Sequence, residues 1–77
     1  MVILSQDNKI VLNSPPIITV GHPNAHGVVS NSIYAIDGKG NLYELGSYED
    51  EVRCQYLLYD IMRCYGSRQV IYEMPAK

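Results

Sequence analysis

Two histidines, two cysteines and an arginine beside a pair of tyrosines are the residues of this chain whose types and spacing bear on chemistry. His22 and His26 form His-x₃-His, a spacing that binds metal on a helix. Pro23 follows His22 directly and biases it towards an extended conformation, so helical geometry is not expected there. The surrounding Gly21–Gly27 stretch supplies no Cys, Asp or Glu to complete a metal site, and none is expected. A loop of Gly, His and Asn still contacts ligands through amides and imidazoles, so His22, Asn24 and His26, with Arg68, form a secondary candidate ligand loop. Cys54 and Cys64 fall on one predicted helix, roughly 15 Å apart at 1.5 Å rise per residue, beyond disulfide reach. They read as small apolar structural residues. Gly38-Lys39-Gly40 is too short and turn-like for a phosphate loop, and Glu49-Asp50-Glu51 is explained by the dipole at a helix start. No serine, histidine and acid stand in a nucleophile context, so neither enzymatic activity nor a cofactor is expected.

The elements that position these residues follow from hydrophobic periodicity. Val2 to Leu4 and Ile10 to Leu12 read as a hairpin around Ser5-Gln6-Asp7-Asn8, and Pro15-Pro16 forbids a continued central strand. Ile17 to Val20 resumes a strand. Val28 to Asp37 alternates towards its end, with Ile33 and Ala35 on one face, and Asp37-Gly38-Lys39-Gly40-Asn41 turns it back into Leu42 to Leu45. Gly46 is expected to end the sheet run. From there the period changes to that of a helix over about 51–65, with Asp50 as N-cap, Gly66 as the residue after the C-cap, and a core stripe of Cys54, Leu57, Leu58, Ile61, Cys64 and Tyr65. Val70 to Met74 is a final strand, stopped by Pro75. The predicted class is α+β: a small, mainly antiparallel sheet of five or six strands, one helix packed on a face, and a strand after it.

Opposite the core stripe the helix should be polar, yet Val52, Tyr56 and Tyr59 lie together there, with Arg63 one turn on. Singly exposed apolar residues need no explanation. Three aligned on one face beside an arginine have the composition of an interface anchor or a stacking platform. A symmetric dimer, or a higher homo-oligomer, is the simplest consequence.

Composition narrows the partner. The 77 residues carry net charge −2, and the six cations are scattered rather than clustered, so nucleic acid is not an expected partner. The length predicts one domain, 1–77. No apolar run suits a signal peptide or a membrane span, so a cytoplasmic protein without a membrane partner is expected. All seven aromatic residues are tyrosine.

Ile3-Leu4-Ser5-Gln6-Asp7, the Leu45-Gly46-Ser47-Tyr48 element before the acidic helix start, and Tyr72-Glu73-Met74-Pro75 together resemble an uncharacterised family of small proteins of Gram-positive bacteria and their prophages. In that family the positions of Val52, Tyr56 and Tyr59 are typically charged or amide residues; here all three depart from the pattern. The resemblance implies a phage-type binding protein that antagonises host immunity. One form would sequester a nucleotide-derived signal as an oligomer, with tyrosines stacking a base and Arg63 or Arg68 meeting phosphate. Another would cap a host defence enzyme through the tyrosine patch, and a third is an accessory oligomeric module.

Overall fold

The computed structural model of the chain describes residues 1–21 and 31–77. Six strands and one helix follow in the order β1 (Val2–Leu4), β2 (Val11–Asn13), β3 (Ile17–Val20), β4 (Ser32–Ile36), β5 (Leu42–Ser47), α1 (Glu51–Gly66) and β6 (Ile71–Glu73). The α+β class therefore holds, with the final strand after the helix. The strands divide between two three-stranded sheets, β2-β1-β6 and β3-β4-β5. The break falls where Ser14 takes a positive φ of 45° ahead of Pro15-Pro16, which carry no backbone donors for a shared ladder. Every pairing is antiparallel except that of β1 with β6, which is parallel.

Alternation decides what each strand buries. Ile3 in β1 and Tyr72 in β6 face each other on the inner side of the small sheet, and Ile33 and Ala35 do the same in β4. Cys54, Leu57 and Ile61 bring the inner face of α1 onto this core, with Leu45, Tyr48 and Met74. Each fully buried Ile or Leu contributes about 2 kcal/mol through area removed from water. Cys54 is buried and Cys64 half-buried, both as free thiols, and burial pushes the Cys54 thiol up. Tyr65 is not in the core: it is 39% exposed, because the last turn of α1 runs on past Ile61, its last buried residue.

The turns are held by acidic side chains. Asp37 accepts from Lys39 N and Asn41 N at 2.9 Å each, from Asn41 Nδ2 at 3.0 Å and from Tyr43 Oη at 3.2 Å. Donors led by the Asn41 side chain hold its carboxyl at about 2. Asp7 organises the β1–β2 turn, accepting from Ser5 Oγ at 2.6 Å and Lys9 N at 3.0 Å.

Gly46 does not end the sheet. β5 continues to Ser47 through a bulge, in which Ile33 faces Gly46 and Tyr34 faces Glu44, leaving Leu45 as the extra residue. The carbonyl of Leu45 accepts the backbone N–H of Gln6 at 2.7 Å. The Gln6 amide pairs with both backbone groups of Ser47, accepting from its N at 2.8 Å and donating to its O at 2.9 Å, and also reaches Ala76 O at 2.8 Å. Tyr48 Oη donates to Pro75 O at 2.8 Å, and Met74 N donates to Leu4 O at 3.0 Å. The three motifs that carry the family resemblance thus meet at one junction between the two sheets.

Asp50 caps α1, accepting from Arg53 N at 2.8 Å. The other end differs from the expectation: Gly66 is the last helical residue, and Arg68 takes the left-handed position with φ 61°. Arg68 N donates to Tyr65 O at 3.3 Å and Gln69 N to Cys64 O at 3.1 Å, which is the Schellman pattern with arginine where glycine is favoured.

Two outcomes follow from these geometries. A methyl group on Gly46 would stand 2.8 Å from Tyr48 Cε2 and Oη, on a ring that is buried and tied to Pro75. Gly46→Ala is expected to lower unfolding free energy by about 2–3 kcal/mol in urea titration, by overpacking and loss of that hydrogen bond. Arg68→Gly relieves a left-handed backbone and is expected to raise stability by about 0.5–1 kcal/mol in the same assay.

Candidate functional site

Helical geometry fixes the outer face of α1. With Cys54, Leu57 and Ile61 turned inward, residues half a turn away point outward, and Val52, Tyr56 and Tyr59 do so, the two tyrosines 65% and 67% exposed. These three, with Gln55 and Arg63, line a shallow depression of about 470 Å³. All four residues expected to form the patch are therefore together in one place.

The face is wider than the sequence reading made it. Beyond Tyr59 lies a second groove of about 570 Å³, walled on the helix side by Leu58, Met62 and Tyr65 and on the other by Pro15, Pro16 and Ile18. Tyr59 lines both hollows, so they form one continuous surface along the helix. Met62 and Tyr65 were legible in principle, since they continue from Tyr59 at intervals of three residues; placing Tyr65 in the core hid them. The diproline wall comes from a distant segment, and no local pattern links it to the helix.

Charge on this face is sparse and compensated. Arg63 pairs with Asp60 at 3.0 Å, and Asp60 also accepts from Tyr72 Oη at 2.9 Å. The Tyr72 hydroxyl first, and then the Arg63 guanidinium, hold the Asp60 carboxyl below the usual carboxylate range. Burial pushes the Tyr72 hydroxyl well up. This network anchors the guanidinium end of the patch to the small sheet. Arg68 lines neither hollow; its place is the helix-ending motif. His22, Asn24 and His26 lie outside the described residues.

Among the described residues, no group of three or more His, Cys, Asp or Glu could hold a metal ion. Asp7, Asp37, Tyr43, Tyr48, Cys54, Asp60 and Tyr72, whose environments shift their titration, line neither hollow. Among the described residues, no helix is long and apolar enough to cross a membrane.

The Asp60 network has a pH signature. Because its folded-state pKa is depressed, its stabilising contribution is present above the ordinary carboxylate range and is lost as pH falls through the lowered value. Tyr72→Phe is expected to raise the Asp60 midpoint in an NMR titration and to destabilise the fold by about 1 kcal/mol. Compared with known protein families, with curated proteins and with solved structures, the chain matches none.

Proposed function

We propose that this chain is a non-enzymatic binding protein that docks a protein surface through the outer face of α1. The observation that supports the reading is the apolar band of Val52, Tyr56, Tyr59, Met62 and Tyr65, exposed along one helix and covered by none of the described residues. Interfaces enrich tyrosine, methionine and arginine and deplete other charge, and this band has that composition. Its two hollows are open and shallow, which suits contact with another surface better than enclosure of a small molecule. In the phage or prophage setting that the sequence resemblance implies, such a protein would cap a host defence enzyme inside the cytoplasm.

A second reading has one specific observation in its favour. Gln55 and Arg63 stand beside Tyr56 and Tyr59 in the same hollow, so a flat anionic ligand could stack on a tyrosine and meet an amide and a guanidinium at its edge. That is the form in which an oligomer sequesters a nucleotide-derived signal. The Asp60 carboxylate already engages Arg63 and weakens its pull on phosphate.

Capture from a Gram-positive lysate, run beside calorimetry with cyclic dinucleotides and ADP-ribose, separates the two. The expected result is a stoichiometric protein retained by the wild type and held at least about tenfold more weakly by the Tyr56→Ala, Tyr59→Ala double variant. A nucleotide binding heat that disappears in Arg63→Ala would replace this reading with the second, and an absence of both would remove the helix face from function.

A further inference from the structure

The outer face of α1 carries two complementary shapes side by side. Tyr56 and Tyr59 stand about two-thirds exposed, and next to them runs the groove between Met62 and Tyr65 on one side and Pro15-Pro16 on the other. Tyr59 belongs to both. Tyr56 lies three residues before Tyr59 and Met62 three residues after it, so a twofold rotation at Tyr59 brings the exposed Tyr56 ring of one copy over the Met62 groove of the other. We propose that the free protein docks this face onto a second copy of itself, with the two α1 helices antiparallel, the axis at Tyr59, and Tyr56 of each copy seated in the groove of the other. This rests on the reading of the face as a protein-docking surface and names its occupant in the absence of a target.

Three features of the face carry the assignment to a second copy. The first is area. Aromatic side chains bury on the order of 200 Å² each, so two tyrosines two-thirds exposed, with Val52, Met62 and Tyr65, offer on the order of 500 Å² per copy. Two copies contribute on the order of 1,000 Å², where specific interfaces begin, and such a patch is at the upper end of what monomers leave open. The second is charge near the axis. A twofold axis brings each charge close to its own image, so a self-docking face must be internally balanced. Arg63 is the one charged residue lining either hollow among the described residues, and Asp60 neutralises it at 3.0 Å. The third is charge at the rim. Antiparallel docking lays the acidic start of α1, Asp50 and Glu51, beside the end of the other copy's helix, where Arg68 follows the cap. It also opposes the two helix dipoles favourably.

Sedimentation equilibrium at up to about 200 µM tests the proposal, since an interface of this size is expected to be of modest affinity. The wild type should approach twice the 8.7 kDa chain mass. Tyr59→Glu and Met62→Glu should each keep the wild-type circular dichroism and weaken the dimer at least about tenfold. Val11→Glu, exposed on the small sheet, should remain dimeric. A wild type monomeric throughout, or a dimer that survives both helix variants, overturns the proposal. A monomer that captures a target protein and loses it on Tyr59→Glu overturns self-docking alone and leaves the docking-surface reading standing. A monomer whose capture is indifferent to Tyr59→Glu overturns both.

Discussion

The junction of the two sheets rests on one residue, Gln6, from which, among the described residues, three hydrogen bonds cross to β5. Each sheet has three strands, the fewest that hold together when one face is covered. The Gln6 amide behaves as an additional backbone unit: it reads both polar groups of Ser47 as a neighbouring strand would, and turns its remaining donor to Ala76. The bulge at Leu45 frees a carbonyl for the Gln6 backbone N–H, and Gly46 leaves the space in which the Tyr48 ring lies. Bulge, glycine and tyrosine are parts of a single solution to joining the sheets.

That junction gives three short sequence motifs an architectural task. Leu-Gly-x-Tyr, the Gln-Asp turn and Tyr-x-Met-Pro are far apart in the chain and adjacent in the fold, where their polar atoms satisfy one another. Ile3, Ser5, Leu45, Tyr48, Tyr72 and Met74 are buried there, while Asp7, Ser47 and Glu73 face outward. The outer face of α1 meets this arrangement only at Arg63, through Asp60 and Tyr72, so Val52, Tyr56 and Tyr59 are free to differ without cost to the sheets, and a tyrosine there carries more functional meaning than one at the junction.

Much of the architecture could be read locally. The helix, its aspartate cap and the Asp37 hairpin each depend on residues close in sequence, and period and capping chemistry are local signals. The division into two sheets could not be read, because it turns on Ser14 adopting a left-handed backbone and on an amide reaching across 41 residues. The left-handed position moved from Gly66 to Arg68 for a similar reason: the helix runs through Gly66, Ser67 caps it, and the Schellman bonds then select position 68 whatever its type. At the site, the tyrosine pair was visible in helical periodicity, while the Pro15-Pro16 wall that turns a flat face into a groove is a tertiary fact.

The parallel pairing of β1 with β6 has a mechanical consequence. The first and last strands lie side by side and run the same way, so a pull on the two ends of the molecule draws them past each other lengthwise. Such a load is shared by all their mutual hydrogen bonds at once, with the Gln6–Ala76 and Met74–Leu4 bonds in series beside them, instead of opening one bond at a time from an edge. For so short a chain this is a shear clamp, and it would keep the core closed under tension while the outer face of α1, which bears none of that load, stays available for contact.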